Sequence, residues 1–263
     1  MRIHFGCALA LCILFANNGV RGDWEVTTSE KEASPNELAE HWTTRVTDAA
    51  VGRQATLNVA LFNSQLATLR VIDQPQPPRQ NLAAAITGTR AVAGVNGGYF
   101  DPTDAPVGLL ISDGRLLSPL RKAKLLTGIL FANANRVDVV RASHFSMKET
   151  PRAAVQCGPL LIDHAEPVAG LNDSRSARRT FAAVDGKGRA ILGISSSVSL
   201  AQLSQILRLT NLADRFKVVR ALNLDGGSST AFWFAGYHGP ASFPEQKTVR
   251  NFVIVVPRAE ERN

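Results

Sequence analysis

The sequence predicts an α+β fold: a single domain, mainly antiparallel β-sheet, with a few packed helices. Three observations predict it. Short apolar runs recur along the chain, several of them alternating with polar residues, as half-buried strands do. Two Asp-Gly pairs, Asp113-Gly114 and Asp185-Gly186, stand between apolar runs, the pattern of a tight hairpin. Helical spacing is confined to two short stretches, and no repeat or long linker divides the chain.

The elements follow in order. Met1–His4 is a short positive start, and Phe5–Ala16 is a charge-free, apolar run of twelve residues. A membrane-spanning helix needs about 20 apolar residues, so residues 1–22 are read as a signal peptide cut near Gly22. Leu11 stands before Cys12 where lipid attachment would want a small residue. Residues 23–54 are expected as a leader, with a strand over Trp24–Thr28 and a short helix starting at Ser34-Pro35. The main domain is placed at 55–257, with a tail at 258–263. Leu57–Phe62 and Leu69–Ile72 read as strands, and Asn81–Ile86 as a helix. Leu109–Leu117 and Phe181–Leu192 read as the two hairpins. Gly128–Phe131 and Val137–Val140 are further strands, Ser199–Leu207 is a helix capped by Ser199, and Phe252–Val256 is the last strand.

Composition narrows the function classes. The 263 residues are 45% apolar and 19% charged, ordinary for a globular chain. The net charge of +7 becomes +5 once Arg2 and Arg21 leave with the signal. That mild excess suits an anionic substrate or surface. No zinc finger, basic helix or aromatic RNA-binding motif is present, which argues against a nucleic-acid partner. Arg121–Lys124 and Arg175–Arg179 are short basic clusters that read as solvated loops. No further apolar run is long enough to span a bilayer, so the mature chain is expected to be exported, periplasmic or secreted, without a membrane span. Cys157 is the one cysteine left after signal removal, so no internal disulfide forms; beside apolar strand residues it reads as a small buried hydrophobe rather than a nucleophile. The five histidines are scattered, without zinc-site spacing. Gly-x-Ser-x-Gly, the phosphate-binding loop and His-Glu-x-x-His are all missing.

Four stretches remain as candidates. Val95–Phe100 follows a small-residue strand; Asn96 aims an amide, Gly97 and Gly98 expose backbone N–H groups, and Asp101 follows at once. Gln156–Leu161 sets a polar side chain and a Gly-Pro break at the mouth of an apolar strand. Arg178-Arg179-Thr180 leads into another. Leu222–Thr230 ends a buried strand in Asp225-Gly226-Gly227 followed by three hydroxyls. Each is also a plain turn or loop. Their shared form, an apolar strand then small polar residues at a break, is how a cleft at a sheet end is built.

Asn96–Phe100, Val107–Gly114, Gln156–Leu160, Arg179–Asp185 and Leu222–Thr230, in that order, resemble the phosphodiester glycosidase family, over residues 55–257. The order of the five motifs is specific where no single one is. Cys157 and Ser228 depart from the family's usual Thr or Ser and third glycine. The family includes exported bacterial proteins linked to exopolysaccharides and enzymes that release N-acetylglucosamine. The resemblance therefore implies a hydrolase that cuts the C1–O bond of a sugar-1-phosphodiester in a cell-envelope or exopolysaccharide glycan.

That reaction sets requirements. The departing oxygen belongs to a phosphate whose second pKa is about 6. It leaves with little need of a proton, whereas an ordinary glycosidase must protonate a sugar hydroxyl. The site needs an anion cradle that tightens as charge grows, and a carboxylate at C1 acting as nucleophile or as base for water. On this resemblance Arg179 is the phosphate clamp. Thr180, Ser228 and Ser229 add hydroxyls, and Gly97, Gly98, Gly226 and Gly227 add N–H groups. Asp225 is the first carboxylate and Asp101 the second, while Asn96, Asn223 and Gln156 orient the sugar. Asp225 is expected to point into a cleft that Asn96 and Arg179 also reach. A divalent cation at Asp225 stays open, and no other cofactor is implied. Two alternatives stay open as well: a non-catalytic glycan- or phosphate-binding module, and a phosphodiesterase attacking phosphorus.

Overall fold

The computed structural model describes residues 23–258. The expected signal peptide, with Cys7 and Cys12, lies outside the described residues. So does the tail after Arg258. The described chain runs β1 (Trp24–Ala33), β2 (Ala39–Asp48), β3 (Arg53–Asn63), β4 (Ala67–Asp73), α1 (Leu82–Ala85) and β5 (Ala93–Asn96). It continues with β6 (Leu110–Ser112), β7 (Arg115–Ser118), β8 (Gly128–Ala132), β9 (Val137–Arg141), β10 (Ala153–Cys157), β11 (Leu160–Asp163) and β12 (Glu166–Pro167). Then come β13 (Ala177–Val184), β14 (Arg189–Val198), α2 (Leu200–Ile206), β15 (Arg220–Asn223), β16 (Phe232–Gly236), β17 (Gly239–Phe243) and β18 (Asn251–Pro257).

The strands form three sheets, and their pairings are antiparallel. The large sheet has the order β1-β2-β3-β14-β13-β15-β11-β12. A second is β7-β6-β10-β8-β9, and a third β17-β16-β5-β18-β4. This is the mainly antiparallel α+β architecture that the alternating runs predict. Period-two alternation decides what each strand buries. In β13, Ala182 and Val184 enter the core shared by the three sheets, while Phe181 and Ala183 face α2 and the segment behind it. In β3, Ala60 and Phe62 take the first side, and Leu57, Val59 and Leu61 the second. A smaller core sets Leu82 and Ile86 against Phe252 and Ile254 on the outer face of the third sheet.

Residues 23–54, expected as a leader, are β1, β2 and the start of β3, and they pair into the large sheet. The short helix expected from Ser34-Pro35 is a turn. Glu37 has φ 56°, its N–H donates to the Ser34 carbonyl at 2.8 Å, and Ala39 N–H reaches the Ser34 hydroxyl at 3.1 Å. The five residues between two ten-residue strands cannot repay helix nucleation. The β16–β17 hairpin is an element that sequence patterning did not reveal.

Candidate active site

The three sheets meet where β5 ends. Asn96 closes β5, and the next two N–H groups turn to β18: Gly97 N–H donates to the Asn251 carbonyl and Gly98 N–H to its side-chain Oδ1, each at 2.9 Å. Both glycines are demanded by close approach. A Cβ at Gly97 would overlap Asn251 Oδ1, and one at Gly98 would lie 2.8 Å from Val155 Cγ1 of β10. The large sheet joins at the same point. Leu224 N–H still pairs with the Thr180 carbonyl at 2.8 Å, but Asp225 N–H crosses to the Gly97 carbonyl at 3.1 Å.

Asp225 is therefore held on all sides. Its carbonyl accepts from Asn96 Nδ2 at 2.7 Å, and its Oδ1 accepts from Gly226 N–H at 2.9 Å. The side chain is half-buried, and burial pushes its pKa above the ordinary carboxylate value against the pull of the Ser229 hydroxyl and the Gly226 N–H. Gly227, at φ 65°, starts a 3₁₀ turn over Gly227–Ser229. That turn is tied down from outside, because Ser228 O accepts from Gln246 N–H at 2.8 Å and Lys247 N–H at 3.2 Å. Gly226 packs on Arg178, whose carbonyl would be 2.9 Å from a Cβ there. The Arg178 guanidinium in turn donates from Nε to the Gly227 carbonyl at 3.2 Å.

Several sequence candidates turn out to be scaffolding beneath this turn. Asn96 is fully buried; besides holding Asp225, its Oδ1 accepts from Thr180 Oγ1 at 2.7 Å and Ala231 N–H at 3.0 Å. Asn96 and Thr180 therefore face each other and not a cleft. Gly97 and Gly98 spend their N–H groups on Asn251, so these are not free for an anion. Gln156 is satisfied by the chain: Oε1 accepts from Leu109 and Arg121 N–H at 3.0 Å each, and Nε2 donates to Arg121 O at 2.7 Å and Leu126 O at 3.1 Å. Asn223 Nδ2 donates to the Gly158 and Leu224 carbonyls at 2.9 and 2.8 Å, and to Tyr99 Oη at 3.1 Å. Asp101 closes its own loop, its Oδ1 accepting from Thr103 Oγ1, Thr103 N–H and Ala105 N–H, and the Thr103 hydroxyl above all holds its pKa below the usual value. Arg179 donates to the Val198 carbonyl at 2.9 Å and the Arg175 carbonyl at 2.6 Å, and burial lowers its pKa. Of the expected trio, Asn96 lies beneath the others as part of a buried polar base, while Asp225 and Arg179 are half-buried, Asp225 at the head of the turn that runs to Ser229. Four surface grooves elsewhere are lined by other residues.

Sequence reading missed three residues of this junction. Asn251 opens an apolar strand, and the one signal it offered was a polar side chain at that head. Tyr99 donates to the Gly158 carbonyl at 2.6 Å, and burial raises its pKa first of all. Arg178 was named only beside Arg179. Cys157 is completely buried next to Tyr99, and burial pushes its thiol up to about 12, as the hydrophobe reading requires. Four buried side-chain atoms here lack a partner: Arg178 Nη2, Asn223 Oδ1, Thr230 Oγ1 and Asn251 Nδ2. Unsatisfied buried groups are rare in folded proteins, and their gathering at one junction marks it off from the rest of the core. No group of three or more His, Cys, Asp or Glu side chains converges among the described residues, so a cation at Asp225 would draw on carbonyl and hydroxyl oxygens.

Comparison with known proteins agrees with the architecture. The phosphodiester glycosidase family pattern matches residues 89–256, which contain the whole junction. No curated protein matches the sequence. Among solved structures, the zebrafish N-acetylglucosamine-1-phosphodiester alpha-N-acetylglucosaminidase catalytic domain, auto-inhibited by its pro-peptide, superposes with a TM-score of 0.63 at 18% identity, covering 87% of this chain and 88% of that one. A hypothetical protein from Synechocystis gives 0.57 at 17% identity, over 83% of this chain and 62% of that one. A Burkholderia pseudomallei K96243 protein, named as a candidate for export, gives 0.51 at 14% identity, over 78% and 75%.

Proposed function

This chain belongs to the phosphodiester glycosidase family, and we propose that it is an exported hydrolase of a sugar-1-phosphodiester in a cell-envelope or exopolysaccharide glycan. Asp225 carries the proposal. Its backbone is pinned by Asn96 and Gly97, and its carboxylate is half-buried, held by the Gly226 N–H and raised in pKa by burial, which is how a fold prepares a reacting group. It acts on C1, as nucleophile or as base for water. As the C1–O bond lengthens, charge grows on the departing phosphate oxygen. The turn beside Asp225 meets that charge with the Gly227 and Ser228 N–H groups, which make no hydrogen bond among the described residues, and with the Ser228 hydroxyl. Arg178 Nη2, buried and unpartnered against the same turn, is a further donor. Arg179 spends Nε and Nη2 on two carbonyls, and its Nη1, which makes no hydrogen bond among the described residues, is left as a donor for the phosphate. The products are a free sugar and a phosphate monoester.

The test is sugar release from N-acetylglucosamine 1-phosphodiesters by the purified mature chain, with and without divalent cations. Asp225→Asn should lower turnover by orders of magnitude while ligand binding persists. Hydrolysis in ¹⁸O-water should label the sugar C1 hydroxyl. Label in the phosphate would transfer the reaction to phosphorus. Absence of release from every such ester would leave a binding module.

A further inference from the structure

One surface segment breaks the usual rule for leucine. Between Arg115 and Leu125, Leu116 is 57% exposed, Leu117 37%, Leu120 44% and Leu125 66%. Interleaved with them, Arg115, Arg121, Lys122 and Lys124 are exposed. No acidic residue occurs between Asp113 and Asp138. None of the four cations forms an ion pair among the described residues. The leucines are not on a slack loop that could fold them away. Gln156 grips the segment at the Arg121 N–H and carbonyl and at the Leu126 carbonyl, and Leu126 is buried. Ser118 Oγ donates to the Pro106 carbonyl at 3.3 Å, and the missing side chain of Gly158 lets the Leu125 carbonyl pack close.

We propose that residues 115–125 dock this protein on an anionic lipid surface. Apolar side chains alternate with unpaired cations in a segment that carries no carboxylate, and Asp73 and Asp113, which share a groove with Arg115 and Leu117, are paired to Arg250 and Arg70; that pattern matches the boundary between acyl chains and negative headgroups. An anionic polysaccharide would call for the cations but not the leucines. A second copy of this chain would set the same four cations against each other, a like-charge contact that an isologous interface penalises. The segment shares no residue with the Asp225 turn, and the proposal does not depend on the glycosidase reading.

Sedimentation of the mature chain with phosphatidylcholine vesicles, with and without phosphatidylglycerol, tests it without any turnover. Binding to the anionic vesicles alone is expected, weakening as salt screens the surface. The Lys122→Gln, Lys124→Gln pair should lower partitioning about ten-fold or more, since each basic residue near such a surface contributes several-fold. Leu120→Ser with Leu125→Ser should remove the binding that survives high salt, and an unchanged melting temperature will show that these exposed positions leave the fold intact. Equal binding to both vesicle types, no binding, or indifference to both variants would overturn the proposal. So would a dimer in solution that the leucine variant dissolves.

Discussion

Asp225 costs the fold stability. Its pKa is raised because burial disfavours the ionised form, so the stability it contributes when protonated is lost as pH rises from the unfolded value of about 3.9 through the higher folded value. At neutral pH the charge is a net burden. Asp225→Asn keeps an acceptor for the Gly226 N–H and removes the charge, so the melting temperature should rise while turnover collapses. A fall in both would mean that the carboxylate is a structural brace. The acid limb of kcat/KM should likewise lie above the ordinary aspartate pKa and vanish in the variant. The sequence pointed to this residue because a carboxylate followed by two glycines at a strand end is a rare local chemistry. It could not show which neighbours are free. Asn96, Thr180 and Gln156 have the right residue types for a polar site, yet their donors and acceptors are used up by carbonyls and amides brought from 30 or more positions away. Hydrogen-bond satisfaction is a tertiary property, and residue type does not encode it.

Individual elements were readable where local chemistry acts alone. Both Asp-Gly hairpins form, as β6–β7 and β13–β14. The second helix has the full reciprocal cap, Ser199 Oγ accepting from Gln202 N–H at 3.0 Å and Gln202 Oε1 accepting from Ser199 N–H at 2.9 Å. Ser199 also donates to Asp173 Oδ1 at 2.5 Å, tying the helix to the preceding loop. Ser199→Ala should therefore cost about 1–2 kcal/mol, read as a lower denaturant midpoint at unchanged slope. A change under about 0.3 kcal/mol would show that the cap is replaced by solvent. Elements were misread where the partner strand decides. Ser34-Pro35 carries a helix-start signal, but β1 and β2 need a reversal there. Pro240 argues against a strand, yet β17 is an edge whose outer N–H groups need no partner, so proline is tolerated.

At the scale of the whole molecule, stability depends on how the three sheets are held together, and one seam is titratable. His41 of β2 in the large sheet lies 5.2 Å from the Phe232 ring and 5.3 Å from Phe234, both in β16 of the third sheet. It is 7% exposed, and its Nε2 is hydrogen-bonded to Asn58 Oδ1 at 3.0 Å. Burial lowers its pKa more than the Asn58 bond and the charge of Glu32 raise it. The folded seam therefore holds a neutral imidazole. As pH falls through about 6.5 the unfolded chain takes up the proton first, and stability drops until the lowered folded pKa is reached. Below that point the folded state must either place a cation between two phenylalanine rings or part the sheets. The urea midpoint should fall from about pH 7.5 to about pH 5, and His41→Gln, which keeps a polar contact for Asn58 and cannot titrate, should flatten that part of the slope. β16 also carries Ala231 and Thr230 toward the junction, where Ala231 N–H holds Asn96 and Asn96 holds Asp225. Loosening the seam should thus reach the Asp225 turn, and protection of the Asp225 and Ala231 amides from hydrogen exchange should fall with pH in the natural chain more steeply than in His41→Gln. Parallel slopes in the two proteins would place the acid sensitivity in some other group.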